Sequence, residues 1–261
     1  MVVTMPSGRQ AKPVVRFEGV GLDYDGKRVL ESLSFKISRG ELITVLGPSG
    51  CGKTTMLNII AGFLNPTAGV ALVNEREIAG PGPDRGVVFQ SYALFDWMTV
   101  RDNIAFSLRC AGRAKEEQHE VANKMAKLVG LAGSENAYPY QLSGGMRQRC
   151  GLARVLAANP SVMLMDEPFA AVDVQTRESL QEEILRIKNE TQCTIVFITH
   201  SIDEAVFLAD RVFLMRKAGL GAFEEFVVEL PEPRGSAENR LHPHFLAVRE
   251  RIYRAMRTDG H

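Results

Sequence analysis

Gly47, Pro48, Ser49, Gly50, Cys51, Gly52, Lys53 and Thr54 follow the apolar run Leu42 to Leu46 and precede Leu57, Ile60, Ala61 and Leu64 at helical spacing. The octet fits GxxxxGK[ST]. Strand, glycine-rich loop, helix is the context in which that pattern means a phosphate-binding loop. Glycines let the backbone bend until successive N–H groups converge on phosphate oxygens, and the helix that follows adds favourable partial charge at its N-terminus. Lys53 then reaches the β- and γ-phosphates of a nucleotide, and the Thr54 hydroxyl suits Mg2+. A chance match somewhere in a chain of average composition is on the order of one in a hundred, so a plain glycine-rich turn is the weaker reading.

Downstream, Val162 to Met165 is a second apolar strand, and it ends in Asp166 and Glu167. Carboxylates at the end of a buried strand are costly unless they have a partner or a task. Asp166 suits Mg2+ held through water, and Glu167 suits a general base that polarises an attacking water. Strand signals return at Thr194 to Ile198 and Val212 to Met215, with Leu180, Ile184 and Ile187 at helical spacing between them. Strands alternating with helices predict βαβ units and a parallel sheet, an α/β fold.

Upstream, Val14 to Phe17 and Val29 to Ile37, punctuated by Gly19, Gly21, Gly26 and Gly40, predict a small antiparallel sheet. After a short strand at Val87 to Phe89 the pattern turns helical, with Val121, Met125 and Leu128 at i, i+4 and i+7. Residues from about 92 to 160 therefore read as a helical lobe. Beyond Gly219 come Phe226 to Leu230, the turn-rich Pro231 to Gly235, and an amphipathic stretch from Pro243 to Met256 carrying Phe245, Val248 and Ile252. A linker and a terminal helix are expected there.

Composition narrows the partners. The chain has 261 residues, 45% hydrophobic and 24% charged, which is ordinary for a globular protein. Its 31 basic and 31 acidic residues cancel, so no general electrostatic grip on nucleic acid or anionic lipid is favoured. No apolar run approaches the roughly 18 to 20 residues that span a bilayer. The first residues, MVVTMPSGRQAKP, lack the apolar centre of a secretory signal, so a cytosolic protein is expected. Cys51, Cys110, Cys150 and Cys193 are widely spaced without a CxxC pair and read as reduced packing residues.

A phosphate loop alone leaves kinases, GTPases, helicases and transport ATPases open. Leu142 to Arg149, LSGGMRQR, narrows them. Ser143 can cap a helix, and Gly144 and Gly145 let its first N–H groups approach a second anion. Here the chain resembles the ATP-binding cassette (ABC) family, whose signature is LSGGQ followed by a basic helical segment; Met146 stands in place of the Gln.

The resemblance spans residues 14 to about 215 and implies roles for further positions. Gln90, in VVFQ, looks like the glutamine that touches Mg2+ and the attacking water and links core to lobe. His200, in FITHS, looks like the switch histidine that meets the γ-phosphate. Tyr24 lies at the family's distance before the phosphate loop and is expected to stack on adenine through its flat ring. Asp173, in AAVD, looks like the D-loop aspartate, and Thr55 completes the GCGKTT of the loop. The resemblance implies an α/β P-loop NTPase core with a parallel sheet, an N-terminal antiparallel β subdomain and a helical signature lobe. It divides the chain into a tail at 1–13, the ATPase domain at 14–219 and a C-terminal linker and helix at 220–261.

Narrower still, GPGPDRGVVFQSYALFDWMTVRDNIAFSL and the terminal LHPHFLAVRERIYRAMR are similar to the taurine, sulfonate and nitrate importer branch. That likeness implies an ATP-hydrolysing subunit with ATP and Mg2+, at the cytoplasmic face of the membrane. It would work as a head-to-tail homodimer, Ser143, Gly144, Gly145 and Asp173 of one subunit completing the site built on Lys53 of the other. Its partners would be transmembrane permease subunits and, indirectly, a periplasmic or extracellular solute-binding protein, with no nucleic acid. A soluble cassette acting on ribosomes or nucleic acid usually carries two copies or long coiled coils, and neither is seen. A P-loop kinase or GTPase has no use for LSGGM.

Overall fold

The computed structural model describes residues 13–89, 93–170, 172–216 and 223–258. Its strands are β1 (Pro13–Tyr24), β2 (Lys27–Ser38), β3 (Leu42–Leu46), β4 (Ala68–Val73), β5 (Arg76–Glu77), β6 (Arg85–Val88), β7 (Val162–Asp166), β8 (Thr194–Ile198), β9 (Arg211–Met215) and β10 (Phe223–Val227). The helices are α1 (Lys53–Ala61), α2 (Val100–Cys110), α3 (Lys115–Leu128), α4 (Gly144–Ala157), α5 (Val174–Thr191), α6 (Ile202–Leu208) and α7 (Pro243–Thr258). Short 3-10 turns occupy Pro139–Gln141 and Ala237–Leu241. Among the described residues no helix is long and apolar enough to cross a membrane.

β3 is buried at all five positions, as a strand covered on both faces must be. It lies inside a six-stranded sheet of order β10-β9-β3-β8-β7-β6. Every pairing in it is parallel except that of β10 with β9. Side chains alternate between two separate cores, as the pleat requires. Leu42, Leu46, Met163, Met165, Ile195 and Phe197 face the core shared with the helical lobe and α7. Ile43, Val45, Val162, Leu164, Val196 and Ile198 face the core shared with α1 and the second sheet.

That second sheet is antiparallel, in the order β2-β1-β4-β5. Both expected N-terminal strands are present and longer than their apolar runs. β4 is an addition: Val15 faces Val73 and Phe17 faces Ala71 across the ladder. Its opening Ala68-Gly69 reads as a turn in the sequence, which hides the strand. Arg211 ties the two sheets together, donating to the Lys36 carbonyl of β2 at 3.1 Å and pairing with Glu41 at 3.0 Å and Glu225 at 2.7 Å.

In the lobe, α2, α3 and α4 pack on one another, and α4 also rests on β6. On α3 the fully buried residues are Ala122 and Ala126, while the periodic Val121, Met125 and Leu128 are only partly buried around them. Small side chains at the closest approach let neighbouring helices come near, and the larger ones flank the seam. α1 stops at Ala61 because Gly62 turns left-handed, with φ 80°, which leaves Leu64 beyond the helix. At the other end of the chain Phe245, Val248 and Ile252 of α7 are buried, as the amphipathic spacing predicts, and α7 packs on α6.

Candidate functional site

The phosphate loop leaves the C-terminal end of β3 and enters α1, with β8 beside it and β7 one strand further on. Crevices at the carboxyl ends of parallel strands are where open α/β sheets take ligands. Gly47 cannot be replaced without collision, since a Cβ there would lie 2.5 Å from the Met215 carbonyl oxygen and 2.7 Å from Cys51 Sγ. Gly52 has φ 99°, and a Cβ on it would lie 2.5 Å from Leu30 of β2. The β1–β2 hairpin thus lies against the loop, and it carries Tyr24, exposed, at its tip.

Lys53 Nζ donates to the carbonyls of Gly47 at 2.8 Å and Pro48 at 3.0 Å. α1 begins with no side-chain cap and no acidic residue in its first turn. By contrast α2, α4, α5 and α6 each carry a side-chain cap, from Thr99, Ser143, Asp173 and Ser201, and α3, uncapped, has Glu116 and Glu117 in its first turn. The first N–H groups of α1 are therefore left to an anion. Pro48, Ser49, Gly50 and Thr54 are exposed, Thr55 is half-buried, and the Cys51 thiol is buried, which pushes its pKa up.

Opposite the loop, Thr54 Oγ1 donates to Asp166 Oδ2 at 3.0 Å. Burial raises the Asp166 pKa, and the bond from Thr54 opposes that rise. A half-buried carboxylate joined to a threonine hydroxyl is a donor set of oxygens, the kind Mg2+ takes together with phosphate. Glu167 follows at φ 44°, a left-handed backbone for a residue with a Cβ, which costs about 1 kcal/mol or more and tends to mark functional sites. Its N–H donates to the Ile198 carbonyl at 3.1 Å, and its carboxylate lies 3.4 Å from His200 Nδ1. Lys53, Thr54, Asp166, Glu167 and His200, far apart in sequence, come together at three strand ends. Gln90 lies outside the described residues.

Ser143, Gly144, Gly145 and Asp173 form a second group. Ser143 Oγ accepts the Met146 N–H at 3.2 Å and so caps α4. Asp173 accepts the Thr176 N–H at 3.0 Å at the start of α5, and hydrogen bonds from Thr176 hold its carboxyl below the usual range. A Cβ on Gly145 would lie 3.0 Å from Thr176, so the two helix starts adjoin. Among the described residues no hydrogen bond links this group to the phosphate loop. Sequence reasoning missed Arg177, Thr199 and Glu204, which line a small cavity together with Glu167 and His200. Their sequence signal is weak, because a polar residue in a helix or at a strand end reads as solvated.

An anion cradle facing a carboxylate that can activate water is what hydrolysis of a nucleoside triphosphate requires. The fold and site thus define a phosphate-loop nucleotide hydrolase. Comparison with known proteins narrows that class. The family model described as ABC transporter matches residues 30–170. An uncharacterised ABC transporter ATP-binding protein of Methanocaldococcus jannaschii is 48% identical over 240 residues, 91% of this chain and 88% of its own. The taurine import ATP-binding protein of Shigella dysenteriae is 46% identical over 235 residues, 88% of this chain and 92% of its own. Among solved structures, a dimeric ATP-binding cassette in a post-hydrolysis state with ADP and phosphate superposes with a TM-score of 0.71 at 30% identity, covering 82% of this chain and 99% of that one. The chain belongs to the ABC transporter family, as the ATPase that binds and hydrolyses ATP.

Proposed function

We propose that this chain energises import of a small alkanesulfonate, taurine being the favoured solute. The observation that carries the reading is its likeness to taurine import ATP-binding proteins over nearly their whole length, with 44% identity across 95% of the Yersinia pestis protein. In this reading residues 14–219 form the ATPase domain, residues 220–261 the C-terminal tail, and two copies meet head to tail at the cytoplasmic face of a membrane. Permease subunits would bind the lobe, where Trp97 and Tyr140 are exposed, and a solute-binding protein would deliver the cargo. No nucleic acid takes part.

Each residue has a task in the reading. Lys53 exchanges its bonds to Gly47 and Pro48 for the β- and γ-phosphates. The loop N–H groups of residues 49 to 55, with that of Gly47, hold the phosphate chain, Pro48 having none to give, and Tyr24 covers the adenine. Thr54, Asp166 and Gln90 would hold Mg2+, whose charge would offset that of the phosphates. Glu167 takes a proton from the attacking water, and His200, beside it, meets the γ-phosphate. Ser143, Gly144, Gly145 and Asp173 act on the partner's nucleotide.

Deletion of the gene is expected to abolish growth on taurine as sole sulfur source and to leave growth on sulfate unchanged. Normal growth on taurine and other alkanesulfonates, with a defect on nitrate, would move the assignment to a nitrate importer.

A further inference from the structure

Thr199, the residue before His200, is 2% exposed. Its hydroxyl donates to the Glu204 carboxylate and accepts the Ser201 N–H at 3.1 Å, so one side chain brackets the histidine from both sides. Its own N–H donates to the Val45 carbonyl of β3 at 3.2 Å. Glu204, on α6, is 7% exposed and also accepts from Gln181 Nε2 of α5 at 2.8 Å. Gln181, 3% exposed, turns its amide oxygen to Arg240 Nη2 at 2.7 Å. The Arg240 guanidinium in turn lies 3.8 Å from the centre of the Phe207 ring.

The order of these partners is chemically forced. An amide between a guanidinium and a carboxylate must present its oxygen to the cation and its NH2 to the anion. Each link then polarises the next, which strengthens a buried chain of hydrogen bonds as a unit. Without the cation, the Gln181 oxygen is left buried and unpaired, a costly state that rotation of the amide relieves at the expense of Glu204. His200 itself is exposed and has the Glu167 contact at 3.4 Å to orient its ring. Its aim depends on the backbone that Thr199 holds.

We propose that Arg240, from the C-terminal segment, is a positioning residue for ATP hydrolysis, setting His200 against Glu167 through Gln181, Glu204 and Thr199. The proposal rests on reading His200 as the group that meets the γ-phosphate. The phosphate loop is not a member of the chain, so nucleotide affinity stays as it is while turnover falls.

The test uses the full chain. Arg240→Met keeps a stem on Phe207 and removes the charge and its donors. Its kcat is expected to fall roughly ten- to a hundredfold, up to the scale of a reacting group misplaced from a distance, with KM for ATP within about twofold. In proton NMR spectra the His200 ring signal, assigned by its loss in His200→Ala, should shift while that of His119 on α3 stays. Gln181→Met, which cuts the chain in its middle, should give the same shift, and Arg240→Lys should restore part of kcat. Unchanged kcat with an unmoved His200 signal in Arg240→Met and Gln181→Met overturns the proposal. So does a loss in which KM and the His119 signal change equally, since that is general loosening. Full turnover by His200→Ala would instead sink the reading of His200, and the NMR shift would still judge the link from Arg240.

Discussion

At Glu167 a strained backbone and a nearby histidine converge on one carboxylate. If Glu167 is the proton acceptor we propose, Glu167→Gln keeps the shape and removes the base. Steady-state hydrolysis is expected to drop by roughly 10²- to 10⁴-fold while calorimetry still shows ATP binding. The cysteines give a second expectation, since burial pushes the Cys150 thiol up to about 12 and the Cys193 thiol up to about 11. At pH 8 only about one in ten thousand Cys150 side chains is then a thiolate. Iodoacetamide should label exposed Cys110 in the native protein and leave Cys150 and Cys193 unmodified, as peptide mass spectrometry would show. That Lys53, Thr54, Asp166 and Glu167 lie at neighbouring strand ends was legible, because apolar strand, glycine loop and carboxylates follow one another in a few adjacent letters. Arg240 was not, because its partner Gln181 lies 59 positions away and nothing local marks either as buried.

Among the elements, β3, β7 and β8 were readable as short runs that are apolar but for Thr44, Asp166 and Thr194, as strands covered on both faces nearly are. α3 shows where such reading stops. Periodicity weighs large apolar side chains, yet the seam of α3 is made by Ala122 and Ala126, and only packing reveals which stripe is innermost. α7 offers the cleaner test. Ile252 is wholly buried, so Ile252→Ala should destabilise the protein by about 2 to 4 kcal/mol, read as a lowered midpoint in urea. A shift under about 0.5 kcal/mol would mean that α7 is not held on the body.

For the whole molecule, the two separated groups of site residues make a prediction about assembly. If Ser143 serves its partner's nucleotide, a mixed dimer with Lys53→Ala and Ser143→Arg on one subunit damages both sites. Placing the two changes on opposite subunits leaves one site whole. ATPase activity in tagged, permease-bound complexes should therefore survive only in the second arrangement, and survival only in the first would show that each subunit completes its own site. The six-stranded sheet carries a consequence of another kind. Because its strands send alternate side chains into two cores, residues on opposite faces share few neighbours, and substitutions on the two sides should be close to additive. Leu42 and Leu46 belong to the lobe's side and Ile43 and Val45 to that of the phosphate loop. A lineage can therefore drift on the lobe side, refitting that surface to a new companion, without repacking the half of the protein that grips ATP.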